Sequence, residues 1–161
     1  MGEVESVFAK STRVLADIEA EDTAVVTLKF KNGALGIIEA TTATRPKDLE
    51  GSLSVLGEKG SVVVGGFAAN ELTTWQFDRP APGDEIVFEK YGRNPDHPYG
   101  FAHKKYYEHV VDCIVNDKRQ LVDGLGGRKS LELISAIYES IETGREISLR
   151  FNPTHCRLGV G

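Results

Sequence analysis

Along the chain, apolar positions first recur every second residue and later recur with the period of a helix. Val4–Lys10 (VESVFAK) reads as a short strand. Thr23–Lys31 alternates cleanly and sets Ala24, Val26, Leu28 and Phe30 to one side. Asn32-Gly33 follows, then Ala34–Thr42; an Asn-Gly between two alternating runs predicts a tight hairpin, because both residues accept positive φ. Closed as a two-residue turn, the hairpin places Phe30 opposite Leu35 and Leu28 opposite Ile37. Their shared face is the expected core face, and a one-residue slip would exchange the faces. A second hairpin is expected around Gly57-Glu58-Lys59-Gly60, between Glu50–Leu56 and Ser61–Gly65. Glu71–Phe77 and Glu85–Lys90 read as two further strands, parted by Arg79-Pro80-Ala81-Pro82-Gly83.

The pattern then changes. Tyr91–Gly100 (YGRNPDHPYG) has loop composition. Phe101–Asp117 carries one helical stripe, Tyr107, Val110, Val111 and Ile114. A Gly124-Leu125-Gly126-Gly127 turn leads to a second helix over Lys129–Thr143, with Leu131, Ile134, Ile137, Tyr138 and Ile141 as its stripe and Gly144 as its stop. Glu146–Phe151 is a last strand. Strands, two helices and a strand predict an α+β fold: an open, mostly antiparallel β-sheet with two main helices packed on one face, in a single domain over residues 1–161. Two helices cover only one side. The opposite face is expected to carry Val25, Thr27, Ile38 and Ala40, with Lys29 and Lys31 near the turn. A half-apolar uncovered face reads as an oligomer interface, dimer or tetramer.

The length of 161 residues suits one substantial core, and the formal charge of −5 argues against nucleic acid, whose phosphates want a basic field. No apolar run is long enough to span a membrane, and MGEVESVFAK lacks the basic-then-apolar pattern of a signal peptide, so a cytoplasmic protein is expected. Cys113 and Cys156 form no CxxC, and Cys113 reads as a small buried apolar residue. The histidines, His97, His103, His109 and His155, show no metal-ligand spacing. Asp112 and Asp117 read as a solvated helix face. Gly124–Ser130 (GLGGRKS) has Arg128 where a phosphate loop needs glycine, Val64-Gly65-Gly66 lacks the GxGxxG fingerprint, and no GxSxG elbow is present.

The densest polar cluster is Lys90–Lys104, in the loop joining strands to a helix, where sites are commonly placed. Arg93, Asn94, His97, Tyr99, His103 and Lys104 are its substrate-binding candidates. Arg clamps a carboxylate or phosphate through two parallel bonds, and a His at a helix start titrates near neutrality or donates to a sugar hydroxyl. Thr44-Arg45-Pro46 is a weaker candidate. No nucleophile–base–orienter set appears, which disfavours an independent small enzyme built on His97 and His103.

Several runs together resemble a known family. Gly2-Glu3-Val4-Glu5-Ser6-Val7-Phe8-Ala9, Glu21-Asp22-Thr23-Ala24, Leu28–Gly36, Val55–Ser61 and Leu131–Phe151 follow one another as in the C-terminal half of Gfo/Idh/MocA-type NAD(P)-dependent oxidoreductases. Tyr91-Gly92-Arg93-Asn94-Pro95 with His103 and Tyr106-Tyr107 is similar to the sugar-nucleotide branch, the UDP-N-acetylglucosaminuronate 3-dehydrogenases. The resemblance implies an N-terminal Rossmann domain, absent from this chain, that binds NAD or NADP and holds a catalytic lysine (Glu-Lys-Pro) and histidine (Asp-x-x-x-His). Neither motif occurs here, so no catalytic residue is assigned. The implied role is a substrate-binding and oligomerisation domain of a sugar or sugar-nucleotide dehydrogenase, inactive and without bound cofactor in isolation. The alternative is a non-catalytic assembly module that associates through its sheet face. Met1 directly before a family strand suggests an expressed fragment or a truncated reading frame.

Overall fold

The computed structural model describes residues 1–93 and 102–150. In chain order the elements are β1 (Val4–Thr12), β2 (Thr23–Phe30), β3 (Leu35–Thr41), β4 (Leu53–Gly57), β5 (Gly60–Gly65), β6 (Glu71–Phe77), α1 (Asp84–Tyr91), α2 (Ala102–Val115), α3 (Gly124–Thr143) and β7 (Ile147–Ser148). The α+β class holds, and the strand pairs are antiparallel. The strands form two hydrogen-bonded sheets where one was expected, ordered β3-β2-β1-β7 and β4-β5-β6. The chain divides into two compact units: Met1–Thr44 with the stretch from Leu121 onward, and Arg45–Gln120.

In the first unit, the alternation of β2 becomes two faces. Val26, Leu28 and Phe30 are buried; Val25, Thr27 and Lys29 are exposed. Val7 and Ala9 of β1, Ala136 of α3 and Ile147 of β7 complete the core, with Leu133, Ile137 and Ile141 of α3 packed against it. Burying each large aliphatic or aromatic side chain contributes about 1.5–3 kcal/mol, which sets α3 on this face. Gly124–Gly127, expected as a turn before the helix, is instead the first turn of α3. The Asp123 carboxylate caps it by accepting from the Gly126 N–H at 2.8 Å. Gly144, at φ 67, closes the helix in the left-handed conformation. Ser140, fully buried, ties β1 and the turn after α3 to the helix: its Oγ accepts from Ala9 N at 3.0 Å and donates to Arg145 O at 2.6 Å.

The β2–β3 hairpin departs from the expected register. Val26 pairs with Ile38, Thr27 with Ile37 and Lys29 with Leu35. Phe30 N donates to Ala34 O and Gly33 N to Phe30 O, both at 2.9 Å, so the loop is Lys31-Asn32-Gly33, one residue longer than the two-residue turn. Only Gly33 takes positive φ (87°), while Asn32 uses its Oδ1 to accept from Ala34 N at 3.1 Å. The extra residue exchanges the faces of β3. Leu35 and Ile37, expected in the core, are 75% and 76% exposed on the open face, and Ile38, expected there, packs on the core.

In the second unit, the β4–β5 hairpin closes as expected, with Gly57 paired to Gly60. A Cβ on Gly60 would lie 2.3 Å from Gln76 O, so glycine is required where β5 passes β6. Glu85–Lys90, expected as a strand, lies within α1. Its Ile86 and Phe88 alternate like strand residues, but the Asp84 carboxylate accepts from Ala81 N at 2.6 Å and from Trp75 Nε1 at 2.8 Å, and Gly83 turns the chain at φ 99. Those bonds anchor a helix start, and they hold the Asp84 carboxyl below its ordinary pKa. In α2, Cys113 is buried as expected, whereas Tyr107, Val111 and Ile114 of its stripe are exposed.

Candidate functional site

Two of the sequence-derived candidates lie where α2 begins. Arg93 is exposed just past Gly92, the residue that ends α1. His103 and Lys104 are exposed in the first turn of α2. Asn94, His97 and Tyr99 lie outside the described residues. The same turn holds Lys105, which sequence reasoning left out although three consecutive basic residues at a helix start were its signal. No acidic residue occupies this first turn. Cations at the positive end of a helix are electrostatically misplaced for stability, since that end favours anions. The combination of dipole and basic side chains suits an anionic group. Lys104 Nζ also lies 3.8 Å from Glu108 Oε1, an exposed pair that leaves the ammonium solvated.

Beyond this turn, a groove of about 650 Å³ runs along α2, lined by Lys104, Tyr107, Glu108, Val111, Asp112, Val115 and Asn116. Asp112, read from sequence as solvated, is engaged at the far end. It accepts from Lys118 Nζ at 2.9 Å and Asn116 Nδ2 at 2.7 Å, which together lower its pKa. Cys113 Sγ lies 3.5 Å from His109 Nε2 and 3.6 Å from Arg119 O, inside the unit and away from the groove lining.

In the first unit, the Asp22 carboxylate organises the β1–β2 loop. One oxygen accepts from Val14, Leu15 and Ala16 N–H groups at 2.8, 2.7 and 3.0 Å, and the other from Thr23 Oγ1 at 3.1 Å. The backbone donors from Ala16, Leu15 and Val14 pull its pKa down to about 2. Among the described residues no cluster of His, Cys, Asp and Glu could hold a metal ion, and no helix is long and apolar enough to cross a membrane.

The family model for the Gfo/Idh/MocA oxidoreductase family, C-terminal alpha/beta domain, matches residues 1–149. The chain belongs to this family. Within the Gfo/Idh/MocA C-terminal domains, it is similar to the WlbA dehydrogenase from Bordetella pertussis, solved in complex with NADH and UDP-GlcNAcA: 40% identity, TM-score 0.83, over 94% of this chain and 43% of that one. The WlbA dehydrogenase from Chromobacterium violaceum, also with NADH and UDP-GlcNAcA, gives 42% identity and TM-score 0.80 over 94% of this chain and 42% of that one. An NAD-binding oxidoreductase from Klebsiella pneumoniae shares the fold, with 19% identity and TM-score 0.73 over 92% and 46%. Comparison with curated proteins gives no match. The chain thus spans less than half the length of these solved relatives. The resemblance read from sequence, including its sugar-nucleotide branch, agrees with these matches.

The family implies a dinucleotide, and the residues described do not fit one. A pyrophosphate cradle needs a glycine-rich turn from a parallel strand into a helix with open amides. Gly65-Gly66 instead lead by a turn from β5 to its antiparallel neighbour β6. Of the glycines that open α3, Gly126 N–H is taken by the Asp123 carboxylate and Gly127 N–H by the Asp123 carbonyl.

Proposed function

We propose that this Gfo/Idh/MocA C-terminal domain is the substrate-binding and oligomerisation half of an NAD- or NADP-dependent sugar-nucleotide dehydrogenase, working with an N-terminal Rossmann half that supplies the cofactor and the catalytic groups. The observation that carries the reading is the match, at 40% and 42% identity over 94% of this chain, to two dehydrogenases solved with NADH and UDP-GlcNAcA. The start of α2 supports the substrate class. A UDP-linked uronic acid offers a diphosphate and a carboxylate, and His103, Lys104 and Lys105 with the helix dipole form an anion-favouring turn close to Arg93 in sequence. Arg93, Asn94, His97, Tyr99, His103 and Lys104 are the substrate-binding set. The open face of the first sheet, with Leu35, Ile37 and Val25 exposed, is the assembly surface.

Calorimetric titration of the chain tests the division of labour. UDP-N-acetylglucosaminuronic acid is expected to bind, more weakly after Arg93→Ala or His103→Ala, while NADH gives no saturable micromolar binding. Saturable NADH binding would overturn the proposed division. Substrate binding unchanged in both variants would remove the α2 turn from the site.

A further inference from the structure

The turn that sets the β3 register also carries a reactive pair of residues. Of the chain's five asparagines, Asn94 and Asn152 precede prolines, Asn70 and Asn116 precede Glu71 and Asp117, and Asn32 precedes Gly33. The main-chain nitrogen that follows an asparagine can attack its side-chain carbonyl carbon. That nitrogen first gives its proton to base, then bonds to the carbon, and ammonia leaves with a proton taken from water. The resulting succinimide ring adds water and opens to aspartate or to isoaspartate, in which the main chain runs through the former side chain. Water is the one co-reactant, and no electron is transferred. Proline has no N–H to give up, and a Cβ on the following residue crowds the ring, so glycine is the most permissive neighbour.

Asn32 and Gly33 are exposed, and a Cβ added at Gly33 would meet nothing within 4 Å, so base and water reach the pair. The reacting atoms are nevertheless engaged. Gly33 N–H, the nucleophile, donates to Phe30 O at 2.9 Å, and Asn32 Oδ1, on the carbon attacked, accepts from Ala34 N at 3.1 Å. The second bond polarises the carbonyl, while the first keeps the proton on the nitrogen. Without the nitrogen anion a polarised carbonyl gains nothing, so the Gly33 bond governs. Phe30 N to Ala34 O and Lys31 N to Glu3 O, both at 2.9 Å, fasten the loop at its base. Loss of the same amide proton is what hydrogen exchange reads, and in a bonded amide it awaits a local opening.

The geometry points to Asn32 as a chemical modification site of the folded chain, gated by opening of the Gly33–Phe30 hydrogen bond. The gate opens one way. Isoaspartate adds an atom to the main chain before Gly33, which displaces its N–H from Phe30 O and turns the side-chain acceptor away from Ala34 N. Aspartate, the other product, keeps an oxygen where Asn32 Oδ1 stands and lets the turn close again.

Peptide mapping with isoaspartyl methyl transfer, after incubation at mildly alkaline pH, compares the full chain with a free peptide of residues 29–36. Conversion at Asn32 is expected to be at least about 10-fold slower in the chain, by a ratio within about 3-fold of the exchange protection of the Gly33 amide. In the isoaspartyl chain the Gly33 and Ala34 amides should lose at least about 10-fold in protection, whereas Asn32→Asp holds them within about 3-fold of wild type. A smaller slowing, or a ratio that departs from Gly33 exchange, overturns the gate. No conversion in the chain while that amide exchanges overturns the site itself. Equal losses of protection in Asn32→Asp and the isoaspartyl chain overturn the one-way opening.

Discussion

The two units of this chain bury apolar surface very differently. In the first, strands β1, β2 and β7 and helix α3 close over Val7, Ala9, Val26, Leu28, Phe30, Ala136 and Ile147. In the second, the described residues bury only Leu72 and Cys113 among apolar side chains, while Leu53, Leu56, Phe77, Tyr107, Val111 and Ile114 stand at the surface. The first unit has a core of its own; the second carries the candidate site and keeps its apolar residues outward. Buried apolar packing and the candidate site thus fall in different stretches of sequence.

The largest expected effect tests that contrast directly. Phe30→Ala lowers the unfolding free energy by about 3–5 kcal/mol, whereas Phe77→Ala, at a 41% exposed position, lowers it by less than about 1 kcal/mol. Urea titration reads both, and equal losses would erase the difference. Next comes the Glu139–Arg150 pair, 2.6 Å apart with the carboxylate buried and the guanidinium half-exposed. Arg150→Met removes the guanidinium from that buried carboxylate and is expected to cost about 2 kcal/mol, below the ~3–5 of a fully buried pair. Adding Glu139→Gln should recover most of it in the same titration. Asp123→Ala removes the α3 cap and lowers stability by about 1 kcal/mol, read by thermal unfolding.

The last effect is a pH dependence confined to acid. Asp22 has its carboxyl lowered from an ordinary 3.8 to about 2 in the folded chain, so its contribution is complete above about pH 4 and fades as pH falls through 2. An acid titration of wild type against Asp22→Asn should show this segment of acid sensitivity in the first and not in the second.

The sequence made much of the first unit readable and less of the second. Alternation in β2 assigned its buried side correctly, because a half-covered sheet imposes period two. The faces of β3 were exchanged because Asn-Gly serves both a two-residue turn and a three-residue turn with only the glycine at positive φ, and composition does not distinguish them. Glu85–Lys90 looked like a strand because Ile86 and Phe88 alternate. Its helix start is anchored through Asp84, by Ala81 N and by Trp75, nine residues away, contacts that alternation does not reveal. For the candidate site, the residue types of Arg93, His103 and Lys104 were legible as a polar cluster, but that α2 opens on three basic residues without an acid becomes visible only once the helix start is fixed at Ala102.

The pairing of β1 with β7 has a mechanical meaning. Ser6 faces Ser148, Val7 faces Ile147, and Leu149 N donates to Glu5 O at 3.0 Å. The strands are antiparallel, so residue 4 and residue 150 leave the sheet from the same end. Tension applied between those two points would load the bonds one after another, like a zip, instead of sharing the load among them as shear does. Pulled this way, the chain should yield first at β7 and at low force, with β1 and β2 still joined.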